Sequence, residues 1–400
     1  MFKKVLSLIL AVAMLSALAL TFTSCNGNND DFKLGVICLH DEASTYDLNF
    51  IEAVERAKIQ LGLSNDQVIY KKNIPESAAC TEAAEDLVDQ GCDIIFANSF
   101  GHETYLLEAA RNNPDVQFCH ATGTMAHTAG VANFHNAFAS IYEGRYLAGV
   151  AAGLKLNEMI ADGKITAAEA KMGYVGAFTY AEVISGYTSF YLGAKSVCPT
   201  VTMDVQFTGS WYDEIKEREA ATALINNGCV LISQHADSMG APSVCEDRGV
   251  PNVSYNGSTV ESCPETFIVS SKIDWTPYFA YIVNAVKDGN AIDVDWTGTI
   301  STGSVVLSEV NTAAAAANTQ SILDGVKAQL IAGEIKVFDT ATFTVGGQTL
   351  TTYMADVDTD AAFEGDTEAI VNGYFAESTE RSAPYFDIRI DGITLLNQEF

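Results

Sequence analysis

Along residues 33–135, short continuous apolar runs alternate with longer segments whose apolar residues recur at helical spacing. These two patterns predict strands and helices in alternation. Short continuous apolar runs, such as KLGVICL at 33–39 and DIIFA at 93–97, are typical of strands buried on both faces. Longer segments between them carry apolar residues at helical spacing, as Phe50, Ile51 and Val54 do within 47–61. The pattern predicts strands at 33–39, 68–70, 93–97, 116–120 and 130–133, and helices at 47–61, 77–90 and 102–112.

The same alternation resumes after residue 135. It predicts strands at 172–178, 201–207, 229–233, 253–255 and 267–269, and helices at 137–159, 183–196, 213–227, 236–248 and 275–287. Strand–helix units at this spacing form parallel sheets with helices on both faces, so the predicted fold class is α/β. Two such runs predict two lobes, and a chain of 400 residues also exceeds the size at which a single core usually stops growing.

The pattern is looser beyond about residue 300. A segment at 311–331, which includes the alanine run 313–317, predicts a helix. Gly346 and Gly347 lie between β-prone residues and predict a hairpin at 343–351. Residues 361–400 form a further mixed segment, which we expect to extend the second lobe.

The first 25 residues carry the features of an export signal. Lys3 and Lys4 precede an apolar run at 5–20, and a short TFTS segment then leads to Cys25. The arrangement resembles a bacterial lipoprotein signal, in which the cysteine is lipidated and becomes the first residue. We therefore expect a signal peptide at 1–24, a polar tether at 25–32 and a lipid on Cys25. An uncleaved signal anchor and a secretory signal without a lipid remain the alternatives.

Acidic residues outnumber basic residues by a wide margin. The sequence has 51 Asp and Glu residues against 22 Lys and Arg residues, which gives a formal net charge of −29. A surface of this sign repels phosphate backbones, so we expect no nucleic-acid partner. It also repels anionic lipid, which excludes adhesion to a membrane through surface charge. The charge does not identify a ligand, because solubility alone explains it.

Common cofactor, metal and catalytic motifs are absent from the sequence. It has no GxxxxGK[ST] loop, no GxGxxG after a predicted strand, no GxSxG and no HExxH. Asp356, Asp358 and Asp360 begin like a calcium loop, but Ala361 and Thr367 occupy positions that need Gly and Glu. We therefore expect no cofactor, no metal and no catalytic residue.

Aromatic and short polar residues follow the predicted strands at their carboxyl ends, where ligands bind in open parallel sheets. Aromatic rings stack on a flat heterocycle, while amides and carboxylates pair with its hydrogen-bonding edge. The combination in both halves predicts a binding cleft. The segments concerned are residues 40–47, 98–102, 178–179, 208–212, 234–238 and 255–258.

These residues also have a purely structural interpretation. Ser99 and Asp237 could be ordinary helix N-caps, because Ser and Asp are favoured there. His235 could be a capping or surface histidine. Side chains that could instead belong to the core of a lobe or pack beneath a loop are Tyr46, Trp211 and Trp275.

Several stretches together resemble the basic membrane protein family of ABC-transporter substrate-binding lipoproteins. They lie at 33–57, 91–123, 139–153, 173–187, 210–228, 234–241 and 273–283, and they include ASIYEGRYLAGVAAG and QHADSMGA. The resemblance implies a type I periplasmic-binding-protein fold, in which two Rossmann-like lobes joined by hinge crossings close over a ligand. Lobe 1 would comprise 33–135 and 268–300, and lobe 2 would comprise 136–267 and 301–400 with its C-terminal extension.

The resemblance implies a purine nucleoside or nucleobase as the ligand. In nucleoside receptors of this family, an aromatic residue beside a carboxylate in the first strand–helix loop contacts the base. Tyr46 matches the aromatic residue, and Asp41 or Glu42 matches the carboxylate. Phe178 or Trp211 would supply a second ring from the other lobe.

The later loops, which contact ribose in the nucleoside receptors, depart from the family pattern. The loop at Asn256 lacks the expected Asp, and Lys272 matches the expected Lys only loosely. This departure favours a nucleobase or another small heterocycle over a nucleoside. The expected ligand-binding residues are Asp41, Glu42, Tyr46, Asn98, Ser99, Phe100, Phe178, Trp211, Gln234, His235, Asp237, Asn256, Lys272 and Trp275.

The family resemblance implies a receptor that binds its ligand without chemistry. The lobes hinge shut, the closed form docks on an ABC permease, and the lipid on Cys25 holds the receptor at the membrane. A sensory binding protein for a small heterocycle is one alternative, because docking surfaces carry no recognisable motif. An exported nucleoside hydrolase is another, in which Asp41 and Glu42 would activate water, although no second acidic cluster accompanies that pair.

Overall fold

The computed structural model describes residues 31–357 and 364–398. The expected signal peptide at 1–24, Cys25 and most of the tether lie outside the described residues, as do Asp358 and Asp360. Within the described ranges, none of the helices combines the length and the apolar character needed to cross a membrane.

A parallel sheet of six strands forms the centre of the first lobe, termed lobe 1. The strands are β1 (Leu34–Ile37), β2 (Val68–Lys71), β3 (Ile94–Ala97), β4 (Gln117–Ala121), β5 (Phe134–Ala139) and β11 (Asp295–Gly298). Their order across the sheet is β11-β5-β4-β3-β1-β2, and all neighbours are parallel. The helices of this lobe are α1 (Thr45–Leu61), α2 (Ala78–Asp89), α3 (Glu103–Asn112) and α8 (Thr276–Asp288), and α8 packs against α1.

A seven-stranded sheet forms the centre of the second lobe, termed lobe 2. Its strands are β6 (Lys171–Gly176), β7 (Thr202–Phe207), β8 (Leu231–Gln234), β9 (Asn252–Tyr255), β10 (Phe267–Ile273), β12 (Val305–Leu307) and β17 (Ile393–Leu395). Their order is β12-β10-β9-β8-β6-β7-β17, and β12 alone runs antiparallel to its neighbour. The helices are α4 (Ile141–Ala161), α5 (Ala181–Val197), α6 (Glu214–Asn226), α7 (Gly240–Arg248) and α9 (Thr319–Ile331).

Helices α4 and α5 pack unusually closely because small residues face each other along their contact. A Cβ atom on Gly149 would lie 2.0 Å from the carbonyl oxygen of Phe190. A Cβ atom on Gly193 would lie 2.0 Å from the carbonyl oxygen of Tyr146. No side chain fits at either position unless the helices separate, so glycine is required for this approach.

The chain crosses between the lobes a few residues later than the sequence predicts. Strand β5 occupies 134–139 rather than 130–133, so α4 starts at Ile141 instead of residue 137. Strand β10 extends to Ile273 and pairs within the second sheet, so the return to lobe 1 follows Ile273 instead of residue 267. This second shift changes the position of the residues just after β10.

The segment after β12 wraps around lobe 2. Helix α9 packs against α4, and Phe338 stacks on Phe386 at a ring-centroid distance of 4.2 Å. The predicted hairpin at 343–351 is reduced to a single bridge between Val345 and Gln348 around two glycines with positive φ. The remaining strands are the short pairs β13 (Met354–Ala355) with β14 (Thr367–Glu368) and β15 (Ile370–Val371) with β16 (Tyr374–Phe375).

The last strand, β17, lies parallel to β7 at the edge of the second sheet. Just beyond it, the Asn397 side chain continues the pairing. Its Oδ1 accepts the N–H of Phe207 at 2.8 Å, and its Nδ2 donates to the carbonyl of Phe207 at 2.9 Å. The side-chain amide thus replaces one residue of strand backbone.

Candidate functional site

A cavity lies between the lobes, beside the carboxyl ends of their central strands. Both lobes contribute, because the carboxyl ends of the two parallel sheets face the same cleft. The lining residues are Leu39, His40, Tyr46, Asp47, Ser99, Phe100 and Thr122 from lobe 1, and Glu182, Trp211, His235, Asp237, Tyr255 and Asn256 from lobe 2.

Half of the ligand-binding residues expected from the sequence lie in this lining. Ser99 also has a structural role, since its hydroxyl donates to Glu76 Oε1 at 2.6 Å and it precedes the 3₁₀ turn Phe100–His102. The expected residues in the lining are Tyr46, Ser99, Phe100, Trp211, His235, Asp237 and Asn256.

Asp41 and Glu42 lie outside the lining, where they stabilise the loop between β1 and α1. Asp41 accepts hydrogen bonds from the N–H of Ala43 at 3.0 Å and from Asn73 Nδ2 at 3.2 Å. These bonds, the first in particular, lower the pKa of Asp41. Glu42 forms an ion pair with Lys72. Both carboxylates are therefore committed to partners within lobe 1, and neither is placed to contact a ligand.

Asn98 and Gln234 form a second layer behind the cavity wall. Asn98 Nδ2 donates to Asp47 Oδ1 at 2.7 Å, and Asn98 Oδ1 accepts the N–H of Leu39 at 3.1 Å. Gln234 Oε1 accepts from Asn252 Nδ2 at 3.0 Å. Each side chain is buried and supports a neighbour of the cavity instead of lining it.

Trp275 and Lys272 are wrongly placed by the sequence interpretation. Trp275 is 1% exposed and stacks on Phe50 in the core of lobe 1, with ring centroids 4.6 Å apart. Lys272 lies within β10, opposite Val306 of β12, and is not part of the lining. The core interpretation of Trp275 is therefore correct.

Three aromatic rings form a cluster on the lobe 2 side of the site. Phe178 stacks on Tyr180 at 5.2 Å and contacts the edge of Trp211 at 5.0 Å. Phe178 does not line the cavity itself, but it holds the Trp211 ring that does. Trp211 is therefore the ring of this cluster that lines the cavity.

Two aromatic contacts join the lobes near the cavity. The ring of Phe100 from lobe 1 lies 5.2 Å from that of Tyr180 from lobe 2. The imidazole of His40 from lobe 1 lies 5.3 Å from the ring of Tyr212 from lobe 2. Because both pairs span the cleft, the structure is that of a closed form.

Asp47 lies in the predicted cleft segment 40–47 and lines the cavity, although it is not among the expected ligand-binding residues. It lies in the first turn of α1, and its Oδ1 accepts from the N–H of His40 at 3.1 Å and from Asn98. Among the described residues, its buried Oδ2 has no hydrogen-bond partner, and it lies 3.4 Å from His40 Nδ1. A carboxylate oxygen left unpaired beside a cavity is a ready acceptor for a ligand N–H.

The lining also contains the carboxyl groups of Asp237 and Glu182. The pKa of Asp237 is raised well above its ordinary range, chiefly by burial and further by the charges of Asp47, Glu217 and Glu182. A hydrogen bond from Asn256 Nδ2 at 3.3 Å partly opposes this rise. Among residues 31–357 and 364–398, no group of three or more His, Cys, Asp or Glu side chains is arranged to hold a metal ion.

Thr122 lines the cavity in a backbone conformation that is rare for a β-branched residue. Its φ is 66°, in the left-handed region. Its N–H donates to the carbonyl of Ala137 at 3.1 Å. Glu103 Oε1 fixes the following loop by accepting the N–H groups of Thr124 at 2.8 Å and Met125 at 2.7 Å. Surrounding contacts thus hold a strained residue against the site, which is where such strain is commonly found.

Two α/β lobes closed around a cavity at their strand ends form a type I periplasmic-binding-protein fold. A solute-binding protein of an ABC transporter system from Aeropyrum pernix is similar in structure, with a TM-score of 0.65 at 17% sequence identity. The match covers 77% of this chain and 93% of that one. This likeness concerns the fold alone.

The sequence profile of the family described as PnrA-like ABC transporter substrate-binding proteins matches residues 36–340, and the chain belongs to this family. The purine-binding protein of Brucella abortus is 34% identical over 223 residues, which cover 56% of this chain and 59% of that protein. A Haloferax volcanii protein, whose name provisionally assigns it to glucose binding in an ABC transporter, is 30% identical over 296 residues, covering 73% and 66%. The chain thus spans less than two thirds of the length of these relatives.

Proposed function

We propose that the protein is the extracytoplasmic, lipid-anchored receptor of an ABC importer and that it binds a purine nucleobase or nucleoside in the interlobe cavity. Membership of the PnrA-like family supports the receptor role. Binding holds the lobes closed, and the closed form is the state that a permease recognises. The receptor performs no reaction on its ligand.

The observation that carries the ligand proposal is the presence of aromatic rings beside buried carboxyl groups in the cavity lining. Trp211 offers a flat surface on which a purine ring can stack. Asp47 and Glu182 offer acceptor oxygens, and Oδ2 of Asp47 has no hydrogen-bond partner in the described part of the chain. Ring and exocyclic N–H groups of a purine are donors that suit these oxygens.

The charge of the lining restricts the ligand further. Its described side chains include three carboxyl groups and no Lys or Arg. A phosphate group would be desolvated beside these carboxyl groups without a cation to pair with, which is strongly unfavourable. The site therefore favours an uncharged base or nucleoside over a nucleotide.

A ligand panel tests the proposal directly. Protein from residue 33 onward, freed of co-purified ligand by unfolding and refolding, is screened by thermal shift and calorimetry against adenine, guanine, hypoxanthine, adenosine, inosine and glucose. We expect a purine compound to raise the melting temperature. Stabilisation by glucose with none by any purine would contradict the ligand proposal, and release of hypoxanthine from inosine at catalytic rates would contradict the receptor role.

A further inference from the structure

A buried arginine lies directly behind the cavity wall. Arg145, in the first turns of α4, is 1% exposed, and no carboxylate among the described residues forms an ion pair with it. Its Nη1 donates to the carbonyl of Gln234 at 3.1 Å, and its guanidinium lies 3.3 Å from the ring centroid of Tyr255. A cation this deeply buried requires either strong partners or a functional reason.

The remaining partner of Arg145 is a histidine that lines the cavity. Arg145 Nη2 lies 3.0 Å from His235 Nδ1. Because a guanidinium only donates and does not lose its proton, Nδ1 of His235 must be the acceptor. The imidazole proton therefore resides on Nε2, and a second proton on Nδ1 would point at the guanidinium.

The surroundings of His235 keep the ring neutral. Burial lowers the pKa of His235 most, the charge of Arg145 lowers it further, and Glu182 opposes both effects. The titratable groups that face the ring are Arg145 from α4, Glu182 from α5, Tyr174 from β6 and Tyr255 from β9. The Nε2–H group of His235 faces the carboxylate of Glu182, because His235 Nε2 lies 3.4 Å from Glu182 Oε1.

We propose that Glu182 is a specificity-determining residue that accepts an N–H of the ligand, and that Arg145 and His235 are positioning residues that orient it by fixing the imidazole proton on Nε2. The inference rests on the proposed function. Glu182 lines the cavity with 13% of its side chain exposed, so one edge of the carboxylate faces His235 while the rest remains available to a ligand. The positive charge of Arg145 and the negative charge of Glu182 thus lie beside different nitrogens of the same imidazole ring.

The consequence is a preference among purines. A ligand must place a ring N–H or an amino group against Glu182, because a carboxylate can accept hydrogen bonds but cannot donate them. Derivatives methylated at that nitrogen lose the bond and leave a buried acceptor unpaired, which is costly. The site should therefore reject such derivatives and lose this selectivity when the carboxylate is replaced.

The first experiment combines a substitution with a ligand series. Dissociation constants of adenine, 9-methyladenine and N6-methyladenine are measured by calorimetry for the wild type, Glu182→Gln and the control Glu42→Gln. We expect Glu182→Gln to weaken adenine binding roughly 10- to 100-fold, because a bond to a charged group is lost. The derivative that is methylated at the nitrogen facing Glu182 should bind weakly to the wild type. Its affinity should fall little further in Glu182→Gln, because the bond is already absent. Glu42→Gln, outside the lining, should behave as the wild type.

The results separate the two proposals. If the wild type binds no purine, the proposed function fails. If it binds adenine but Glu182→Gln binds all three ligands with wild-type affinities, the role of Glu182 is excluded while the proposed function stands. Equal losses for all three ligands in Glu182→Gln would also overturn the inference, since no N–H would then be recognised by the carboxylate.

A second experiment tests the positioning role through pH. Replacing Arg145 by Met removes the donor to Nδ1 and one of the two causes that lower the pKa of His235, so Nδ1 should take up a proton at a higher pH than in the wild type. The ratio of the Kd of Arg145→Met to that of the wild type should then change between pH 5.5 and 7.5. Adding His235→Gln, which keeps a donor but does not titrate, should abolish that change. A ratio that stays constant with pH would contradict the role of Arg145.

Discussion

The backbone N–H of Thr45 in lobe 1 donates a hydrogen bond of 3.0 Å to the backbone carbonyl of Asp237 in lobe 2. Thr45 is the first residue of α1, where N–H groups have no partner within the helix. The Thr45 hydroxyl donates to the same carbonyl at 3.1 Å. Closure thus satisfies one of the free N–H groups at the start of α1, and opening would return these donors to water.

A proline at position 45 should weaken closure without disrupting α1. Proline is well tolerated as the first residue of a helix, and Ser44 before it already has the extended conformation that proline requires. Thr45→Pro removes both donors to Asp237. We expect the Kd for a purine ligand to rise roughly 5- to 50-fold, because each lost hydrogen bond contributes on the order of 1 kcal/mol.

Two milder substitutions serve as controls for this contact. Thr45→Ser keeps both donors and should bind as the wild type. Thr45→Val keeps only the N–H, so its Kd should lie between those of Thr45→Ser and Thr45→Pro. Small-angle scattering of the ligand-bound protein should show a larger radius of gyration for Thr45→Pro. Identical affinities in all three variants would show that the contact does not contribute to closure.

Replacing Trp211 should lower ligand affinity, whereas replacing Trp275 should lower the stability of the fold. Trp211→Ala removes a ring from the cavity wall, so ligand affinity should fall by at least 10-fold while stability changes little. Trp275→Phe leaves a void in the core of lobe 1, so stability should fall by about 1–3 kcal/mol with unchanged affinity of the folded protein. Urea unfolding and calorimetry measure the two quantities. A loss of affinity in Trp275→Phe but not in Trp211→Ala would contradict the assignment.

Thr122 allows the cost of a strained backbone to be measured. Ala and Gly both lack the hydroxyl, but only Gly adopts a positive φ without strain. Thr122→Gly should therefore be more stable than Thr122→Ala by about 1 kcal/mol in urea unfolding. Asn372, which has a φ of 51° outside the cavity lining, gives the matching Gly and Ala control pair. If ligand affinity falls in Thr122→Gly but not in Thr122→Ala, and the Asn372 pair shows no such difference, the strain serves the site.

Glu217 should make the protein less stable as the pH rises. Burial raises the pKa of Glu217 to about 7, although its carboxylate accepts the N–H groups of Asp213 at 3.1 Å and Ser238 at 3.2 Å. Between about pH 4.5 and 7 the folded state binds more protons than the unfolded state, so the free energy of unfolding falls with rising pH. Glu217→Gln keeps an acceptor oxygen and does not ionise.

The matching measurement is urea unfolding of wild type and Glu217→Gln at pH 5 and pH 7.5. Between pH 5 and pH 7.5, the free energy of unfolding of Glu217→Gln should rise relative to that of the wild type by on the order of 2 kcal/mol. Glu42→Gln removes a carboxylate whose pKa is instead lowered by Lys72, so it should show no such gain. A difference between Glu217→Gln and wild type that is independent of pH would exclude ionisation of Glu217 as the cause.

The proposed lipid anchor predicts a clear change on replacement of Cys25. In its native type of host, the full-length protein should fractionate with membranes and incorporate labelled palmitate. Cys25→Ser removes the thiol that would carry the lipid, so the protein should appear in the soluble extracytoplasmic fraction without label. The sequence has eight other cysteines, and replacing Cys198 provides a control that should leave fractionation unchanged. Membrane association of Cys25→Ser would contradict the anchor.

Much of the fold could be predicted because it depends on local pattern. The buried strands β1, β3, β6 and β8 are short apolar runs, and the helices between them carry apolar residues at helical spacing. Strand β5 is predicted a few residues too early, at 130–133 instead of 134–139, because His135 and Asn136 are poor strand formers. Long-range bonds stabilise them: Asn136 Oδ1 accepts the N–H of Ala126 at 2.8 Å, and His135 Nδ1 lies 3.0 Å from the carbonyl of Asp293. Such partners are not visible in a local window.

The prediction of helix α9 shows a similar limit. The alanine run favours a helix from residue 311, but the helix begins only at Thr319. Asn311 Oδ1 accepts the N–H of Ala313 at 3.1 Å, and its Nδ2 donates to the carbonyl of Phe267 at 2.8 Å. Asn318 has a φ of 62°, which no α-helix continues through. Bonds to another part of the chain thus override helix propensity.

The candidate site was predictable only where its residues directly follow strands. Trp211 and Asp237 follow β7 and β8 and were selected for that reason. Trp275 follows β10 in the same way, but the chain has already crossed into lobe 1, so the ring enters the core. Glu182 lies in the first turn of α5, away from a strand end, and its relation to His235 depends on three-dimensional packing. No spacing rule would have selected it.

The pairing of β17 with β7 has a consequence for how this protein behaves in concentrated solution. Without β17, the backbone N–H and C=O groups of β7 would form an open edge, and open edges recruit strands from other molecules. The Asn397 amide extends this protection to Phe207, two residues past Val205, the last residue of β7 that pairs with β17. The final residues of the described chain therefore cover this edge, and we expect a chain shortened before Ile393 to self-associate more readily.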